Sequence, residues 1–182
     1  MKIAITGHSA GIGQALAHEY ATQGHEIVGL SKRDGNNIRI TPKIANLIEP
    51  CDMFINNAQA GYAQTELLFE MARRWSGTNK HIVVISTMMT QNPISSITGL
   101  NMDEYRVQKI ALEEASRQIR AREIGLKITI VRPGNIATSP DKTVPPAADV
   151  TVWANTLVGI LDMAKANNLD INDISLGPTD DS

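Results

Sequence analysis

The sequence predicts an α/β fold: one Rossmann-type doubly wound parallel sheet with helices on both faces, in a single domain over residues 1–182. Three observations carry that expectation. An apolar, β-prone run at residues 3–5 passes directly into a glycine-rich turn and then an Ala-rich helical segment at 14–20. Short apolar runs then alternate with segments of helical period to the end of the chain. The length, 182 residues, suits one full hydrophobic core.

The first unit is the most specific. Strand, glycine turn, helix is the context a dinucleotide fingerprint needs. Gly7 permits a tight turn off the strand, Gly11 lets backbone approach a pyrophosphate, and Gly13 lets the helix lie close to the sheet. The helix start then offers free N–H groups to phosphate oxygens. With Thr6 in front, the stretch reads Thr-Gly-x3-Gly-Ile-Gly. It resembles the cofactor loop of the short-chain dehydrogenase/reductase family. That resemblance adds Ser9 and Ile12 to the residues facing a nicotinamide dinucleotide.

Gly24 stops the first helix, and a second strand follows at 27–30. The end of this strand faces the adenosine ribose in dinucleotide folds. An acidic residue there accepts the 2′-OH of NAD, and a basic one suits the 2′-phosphate of NADP. Here stand Ser31, Lys32 and Arg33, a hydroxyl and two cations, so NADP is expected over NAD. The alternative is a solvated basic turn. Asp34 lies one or two residues past the NAD position, a gap that slippage of the turn would close.

Residues 36–40 read as a short, weakly marked strand. Thr41 as N-cap and Pro42 in the first turn open a helix over 42–49, which Pro50 ends. Residues 53–55 form the fourth strand, followed by Asn56-Asn57-Ala58. This segment is similar to the family's Asn-Asn-Ala-Gly, which implies that Asn57 and Ala58 brace the sheet beneath the adenine ribose. Gln59 stands in place of the family's Gly. A helix over 65–75 turns Leu67, Leu68, Met71 and Ala72 to one side and Arg73 and Arg74 outward. The family's catalytic Asn falls in this crossover, which is short here. Only Asn79 offers itself by identity, and it also suits a turn.

Residues 81–85 form a buried strand ending in Ser86-Thr87. The resemblance places Thr87 at the catalytic hydroxyl position and Ser86 just before it. A polar loop over 88–100 contains Asn92, Ser95 and Ser96. Asn101 or Asp103 can cap the next helix, 103–124, with Val107, Ala111, Ala115, Ile119 and Ile110 as its sheet-facing stripe. Tyr105 and Lys109 are four apart on it and share a face. A strand at 127–131 leads into residues 132–138. There Pro133, Gly134, Ile136 and Thr138 match the family's Pro-Gly-x-Ile-x-Thr loop, which implies a grip on the nicotinamide end. A loop over 139–148 is expected above the substrate pocket. A helix near 149–166 and a strand at 171–176 complete the sheet.

An ammonium one helical turn from a phenol favours phenolate, and a phenol of depressed pKa can move a proton near neutral pH. Tyr-x3-Lys alone is mostly surface decoration. Its place after Ser86-Thr87 and before the Pro-Gly loop gives it weight, since this is the family's order. The resemblance implies Tyr105 as acid/base, Thr87 as the hydroxyl that holds the substrate oxygen, and Lys109 as partner of Tyr105 and of the nicotinamide ribose. Thr87 stands eighteen positions before Tyr105, farther than the family's usual spacing.

Composition narrows the classes. A net charge of −2 argues against a general nucleic-acid binder. Cys51 is the single cysteine, so no internal disulfide or Cys-rich metal site is expected, and the four histidines show no metal-ligand spacing. No targeting segment is visible, and no apolar run approaches the roughly 18 residues of a membrane helix, so a cytoplasmic location is expected. The leading reading is an NADP-dependent oxidoreductase acting on a small carbonyl or secondary alcohol, in a homodimer or homotetramer as the resemblance implies. A catalytically inactive NADP-binding regulatory or interaction protein is the alternative. A sugar-nucleotide epimerase or dehydratase is disfavoured by the small C-terminal region.

Overall fold

A computed structural model describes residues 1–91, 102–122, 124–138 and 146–179. Six strands form one parallel sheet: β1 (Lys2–Thr6), β2 (Glu26–Leu30), β3 (Met53–Asn56), β4 (His81–Ile85), β5 (Lys127–Pro133) and, last in the chain, β8 (Asp173–Leu176). Their spatial order is β2-β1-β3-β4-β5-β8. A separate two-stranded pair, β6 (Ile136–Ala137) and β7 (Ala148–Asp149), lies beyond the end of β5. The strand order reverses between β1 and β3, and the carboxyl ends flanking that reversal are where open α/β sheets bind ligands.

Each face of the sheet has its own core. Helices α2 (Thr41–Ile48), α3 (Ala63–Arg74) and α4 (Asp103–Arg120) cover one face, around Ala4, Phe54, Leu67, Met71, Val84 and Leu112. Helices α1 (Gly11–Thr22) and α5 (Val150–Ala166) cover the other, around Ile3, Ile5, Leu16, Ile55, Val83, Trp153 and Leu157. Alternate residues of β1 therefore point into different cores. Each fully buried aliphatic side chain contributes about 1.5–3 kcal/mol. No helix among the described residues is long and apolar enough to cross a membrane.

Three local expectations fail for identifiable reasons. Residues 36–40 are not a strand. The Asn37 carboxamide accepts the Arg39 N–H at 3.1 Å and the Asn37 carbonyl accepts the Ile40 N–H at 3.0 Å, so a turn leads straight into α2 and β2 remains the sheet margin. Thr41 is the first residue of α2 rather than its cap, and its hydroxyl donates to the Ile38 carbonyl at 3.4 Å. On α4, Val107 and Ile110 point outward. The buried side holds Gln108, Lys109, Leu112, Glu113, Ala115, Ser116 and Ile119; Gln59, Gln64 and Arg132 meet Gln108, Lys109 and Glu113 from other elements, while Ser116 donates back to the Leu112 carbonyl. The helix ends at Arg120, four residues early.

Candidate active site

The glycine turn is built as the motif requires. Gly7 has φ +71° and its N–H donates to the Leu30 carbonyl at 2.7 Å, pinning the turn to β2. A Cβ on Gly13 would stand 2.3 Å from the Gly7 carbonyl oxygen, so only glycine lets α1 start this close to the strand. Gly11 has φ +54° and lies against Thr138, which joins the glycine turn to the Pro-Gly loop. The N-cap of α1 is Ala10, with no side-chain cap, so the first N–H groups of the helix are left for a ligand.

Asn57 and Ala58 brace this turn from β3. The Thr6 hydroxyl accepts both of their N–H groups, at 3.0 and 3.1 Å, and the Asn57 carboxamide donates to the Thr6 carbonyl at 2.9 Å. The uncapped helix start and the glycine cradle fit the pyrophosphate of a dinucleotide.

At the end of β2 Ser31 is buried, while Lys32 and Arg33 are exposed in a single 3-10 turn. That turn folds Asp34 back. The Ser31 hydroxyl donates to the Asp34 carboxylate at 2.6 Å, and His8 Nε2 stands 3.8 Å from the same oxygen. The His8 ring rests on Gly29, where any Cβ would collide with it. Asp34 is thereby brought beside the end of β2 and His8.

A cleft of about 420 Å³ opens at the carboxyl ends of the strands. It brings together Ile12, Asn57, Thr87, Tyr105, Lys109, Pro133, Gly134, Ile136 and Thr138. Met89 and Met102 add thioether surface. A larger cavity of about 650 Å³ lies at the opposite ends of the strands and holds none of these residues. Asn79 lines that other cavity, in a left-handed turn at φ 56°, so it is no part of this site.

Thr87 reaches Tyr105 despite the long spacing, because the sheet fixes both the strand end and the helix start. The Thr87 hydroxyl comes near enough to the Tyr105 phenol to favour its ionised form, and the Met89 N–H donates to Thr87 Oγ1 at 3.3 Å. Asn92, Ser95, Ser96 and the caps considered at 101 lie outside the described residues, as does most of the 139–148 loop; Asp103 opens α4.

The electrostatics differ from the expectation. Burial pushes the Tyr105 phenol above its ordinary value, and the Thr87 hydrogen bond opposes this only in part. Lys109 lies over the Tyr105 ring. Its Nζ is 5.6 Å from the Tyr105 ring centre and donates to the Gln64 side-chain oxygen and the Ile85 carbonyl, both at 2.8 Å. Burial brings Lys109 down to about 7, with the Glu113 charge acting in the opposite direction.

Sequence reasoning missed Gln64 and Glu113. Gln64 Nε2 donates to the Asn56 carbonyl at 2.6 Å and the Ile85 carbonyl at 3.1 Å, which leaves its oxygen for Lys109. Its partners lie far away in sequence, and no local pattern marks it. Glu113 sits on α4 one turn past Lys109, at a position where a helix facing a sheet is ordinarily apolar.

No protein-family model and no curated protein matches the chain. Solved structures do. A short-chain dehydrogenase from Streptomyces avermitilis superposes with a TM-score of 0.73 at 18% identity, covering 97% of this chain and 88% of that one. An alcohol dehydrogenase from the archaeon Thermococcus sibiricus, complexed with 5-hydroxy-NADP, gives 0.73 at 15% identity, covering 97% and 95%. A 3-alpha-hydroxysteroid dehydrogenase from Pseudomonas sp. B-0831, complexed with NADH, gives 0.71 at 16% identity, covering 97% and 95%. The fold is that of the short-chain dehydrogenases/reductases.

Proposed function

We propose that the chain is a nicotinamide-dependent oxidoreductase that interconverts a small carbonyl and a secondary alcohol, with Tyr105 as acid/base. The observation that carries this is the convergence of Thr87, Tyr105 and Lys109 in one cleft beside the glycine cradle. The cradle residues Gly7, Ser9, Gly11, Ile12 and Gly13 bind the dinucleotide over the α1 start. Asn57 and Ala58 hold the turn beneath it. Gly134, Ile136 and Thr138 border its nicotinamide end. When bound, the dinucleotide supplies or accepts the hydride.

The protein's own part is proton chemistry and placement. In the reduction direction Thr87 donates a hydrogen bond to the substrate oxygen, and Tyr105 delivers the proton that becomes the alcohol O–H. Lys109 stands one turn behind, and its remaining N–H would hold the ribose hydroxyls of a bound dinucleotide. NADP is preferred over NAD on the strength of Lys32 and Arg33, both exposed at the ribose end. Asp34 opposes that preference. Exposed Phe69 on α3 and Val107 and Ile110 on α4 support self-association through these two helices.

The test is Tyr105→Phe against a panel of small ketones and aldehydes with NADPH. Turnover is expected to be lost, while the NADPH dissociation constant from fluorescence stays within about twofold. Unchanged turnover overturns the assignment.

A second reading is favoured by one observation. Tyr105 is raised rather than lowered, and the Lys109 ammonium is engaged by Gln64 and Ile85. A dinucleotide-binding regulatory or interaction protein that catalyses nothing would look like this. It predicts NADPH binding with no turnover in the wild-type chain, and a Tyr105 titration that saturating NADP⁺ leaves in place.

A further inference from the structure

We propose that Glu113 is a positioning residue for the Thr87 hydroxyl, holding both flanks of the Thr87 backbone through one buried carboxylate oxygen; this rests on the role given to Thr87 above.

Glu113 is 2% exposed and accepts five hydrogen bonds. Its Oε1 takes the Ser86 hydroxyl at 2.6 Å, the Thr90 hydroxyl at 2.7 Å and Arg132 Nε at 3.0 Å. Its Oε2 takes Arg132 Nη2 at 2.8 Å and Arg117 Nη2 at 2.9 Å. Ser86 immediately precedes Thr87. Thr90 closes the turn after it, its single hydroxyl proton shared between Glu113 Oε1 and the Thr87 carbonyl, which is 2.9 Å away. One oxygen thus fixes the residue before Thr87 and the turn behind it.

The far side of the carboxylate is anchored as firmly. Arg132 on β5 also donates to Asp173 on β8 at 2.7 Å, and Arg120 on α4 donates to the same aspartate at 3.1 Å. Ser86 N–H donates to the Val131 carbonyl at 2.7 Å. The end of β4 is therefore tied to α4, β5 and β8 through one connected set of charges.

Packing alone does not call for this. Burying a carboxylate and a guanidinium carries a desolvation cost that an apolar pair of similar volume avoids. What the charge adds is an acceptor-only group able to take all five donors at once. Burial pushes Glu113 up, but the bonds from Arg132, Ser86 and Thr90 outweigh it and hold the group below the usual carboxylate range. It stays ionised at neutral pH, so the flanks of Thr87 stay bound.

The deciding experiment reads the Thr87–Tyr105 hydrogen bond directly. Protein labelled with tyrosine carrying 13C at Cζ gives a Tyr105 signal, assigned by Tyr105→Phe. Thr87→Val defines the shift when the bond is lost. Ser86→Ala/Thr90→Val removes both flanking bonds and keeps the Glu113–Arg132 pair. It is expected to reproduce most of the Thr87→Val shift, with a thermal midpoint within about 4 °C of wild type. Glu113→Gln should act in the same direction, and the exposed neighbour Glu114→Gln should leave the signal in place. In turnover, the double variant should lower kcat by about tenfold or more, with the NADPH affinity unchanged.

A Tyr105 signal unmoved in Ser86→Ala/Thr90→Val, where Thr87→Val moves it, overturns the positioning role and leaves the oxidoreductase reading standing. A signal unmoved by Thr87→Val overturns the Thr87–Tyr105 pairing, and the inference with it. If Glu113→Gln fails to fold, the double variant alone decides.

Discussion

The side-chain oxygen of Gln64 on α3 accepts a hydrogen bond from the buried ammonium of Lys109 on α4, at 2.8 Å. The amide cannot be reversed, because its nitrogen already sits between the carbonyls of Asn56 and Ile85. Gln64 is therefore a directed acceptor for the lysine.

Gln64→Leu removes that acceptor and should drive the Lys109 titration below about 7, since the charged form loses a partner in a desolvated site. Gln64→Glu should drive it upward, at a cost of about 1–3 kcal/mol in stability from losing the Gln64 N–H donations to the Asn56 and Ile85 carbonyls. The 13Cε shift of Lys109 against pH measures both. A Lys109 titration identical in the two variants would show that the contact is not made in solution.

The ribose end sets two cations against one carboxylate. Lys32→Ala/Arg33→Ala should weaken NADPH binding by about tenfold or more and NADH binding far less, as expected from losing charge-assisted hydrogen bonds to a phosphate. Asp34→Asn should strengthen NADPH by about two- to fivefold, the size of an exposed charge interaction. Paired fluorescence titrations with the two reduced dinucleotides give the ratio. An Asp34→Asn variant that weakens NADPH would reverse the assignment of these charges.

Gly13→Ala places a methyl group against the Gly7 carbonyl. The neighbour is backbone of a turn pinned to β2, so relief requires α1 to move outward. A loss of about 1–3 kcal/mol in urea unfolding is expected, together with loss of NADPH binding. Normal binding at wild-type stability would mean that the helix start is not held as described.

His81 governs an acid limb of stability. Its Nε2–H donates to the Thr129 hydroxyl at 2.9 Å, because the Thr129 proton goes to the Ile171 carbonyl at 2.6 Å. Burial brings His81 down to about 4, with Lys127 and Lys165 acting in the same direction and Asp170 against them. Between pH 6.5 and 4 the unfolded chain binds a proton that the folded chain does not, so stability falls as pH falls through that window. The loss is on the order of 3 kcal/mol. Urea unfolding of wild type and His81→Gln at pH 6.5 and 4.5 separates this contribution from the carboxylates: the variant should lose less.

Much of the site was legible because its residues announce themselves locally. Gly7, Gly11 and Gly13 are spaced by the geometry of one turn. Tyr105 and Lys109 share a helix face. Thr87 ends a strand whose apolar run is unmistakable. What stayed hidden depends on distant partners. Gln64 and Lys109 meet across two helices, and Glu113 gains its meaning only from Ser86, Thr90 and Arg132. Val107 and Ile110 were read as sheet-facing because they are apolar, yet the register of α4 follows its polar anchors. Ile38 and Ile40 alternate as a strand would, but Asn37 captures the backbone that a strand needs to lend to its neighbour.

The turn at residues 36–40 has an effect on colloidal behaviour. It leaves the outer backbone of β2 without a neighbouring strand among the described residues, and an open margin is a template that a foreign strand can extend. Here the margin is only five residues long. It begins at exposed Glu26, bound by Lys2 at 2.8 Å, and is interrupted at Gly29, over which the His8 ring lies. Shortness, a terminal charge and an internal glycine all disfavour edge-to-edge addition. The narrower sheet is thus finished off against aggregation by the same histidine and glycine that meet at the carboxyl end of β2.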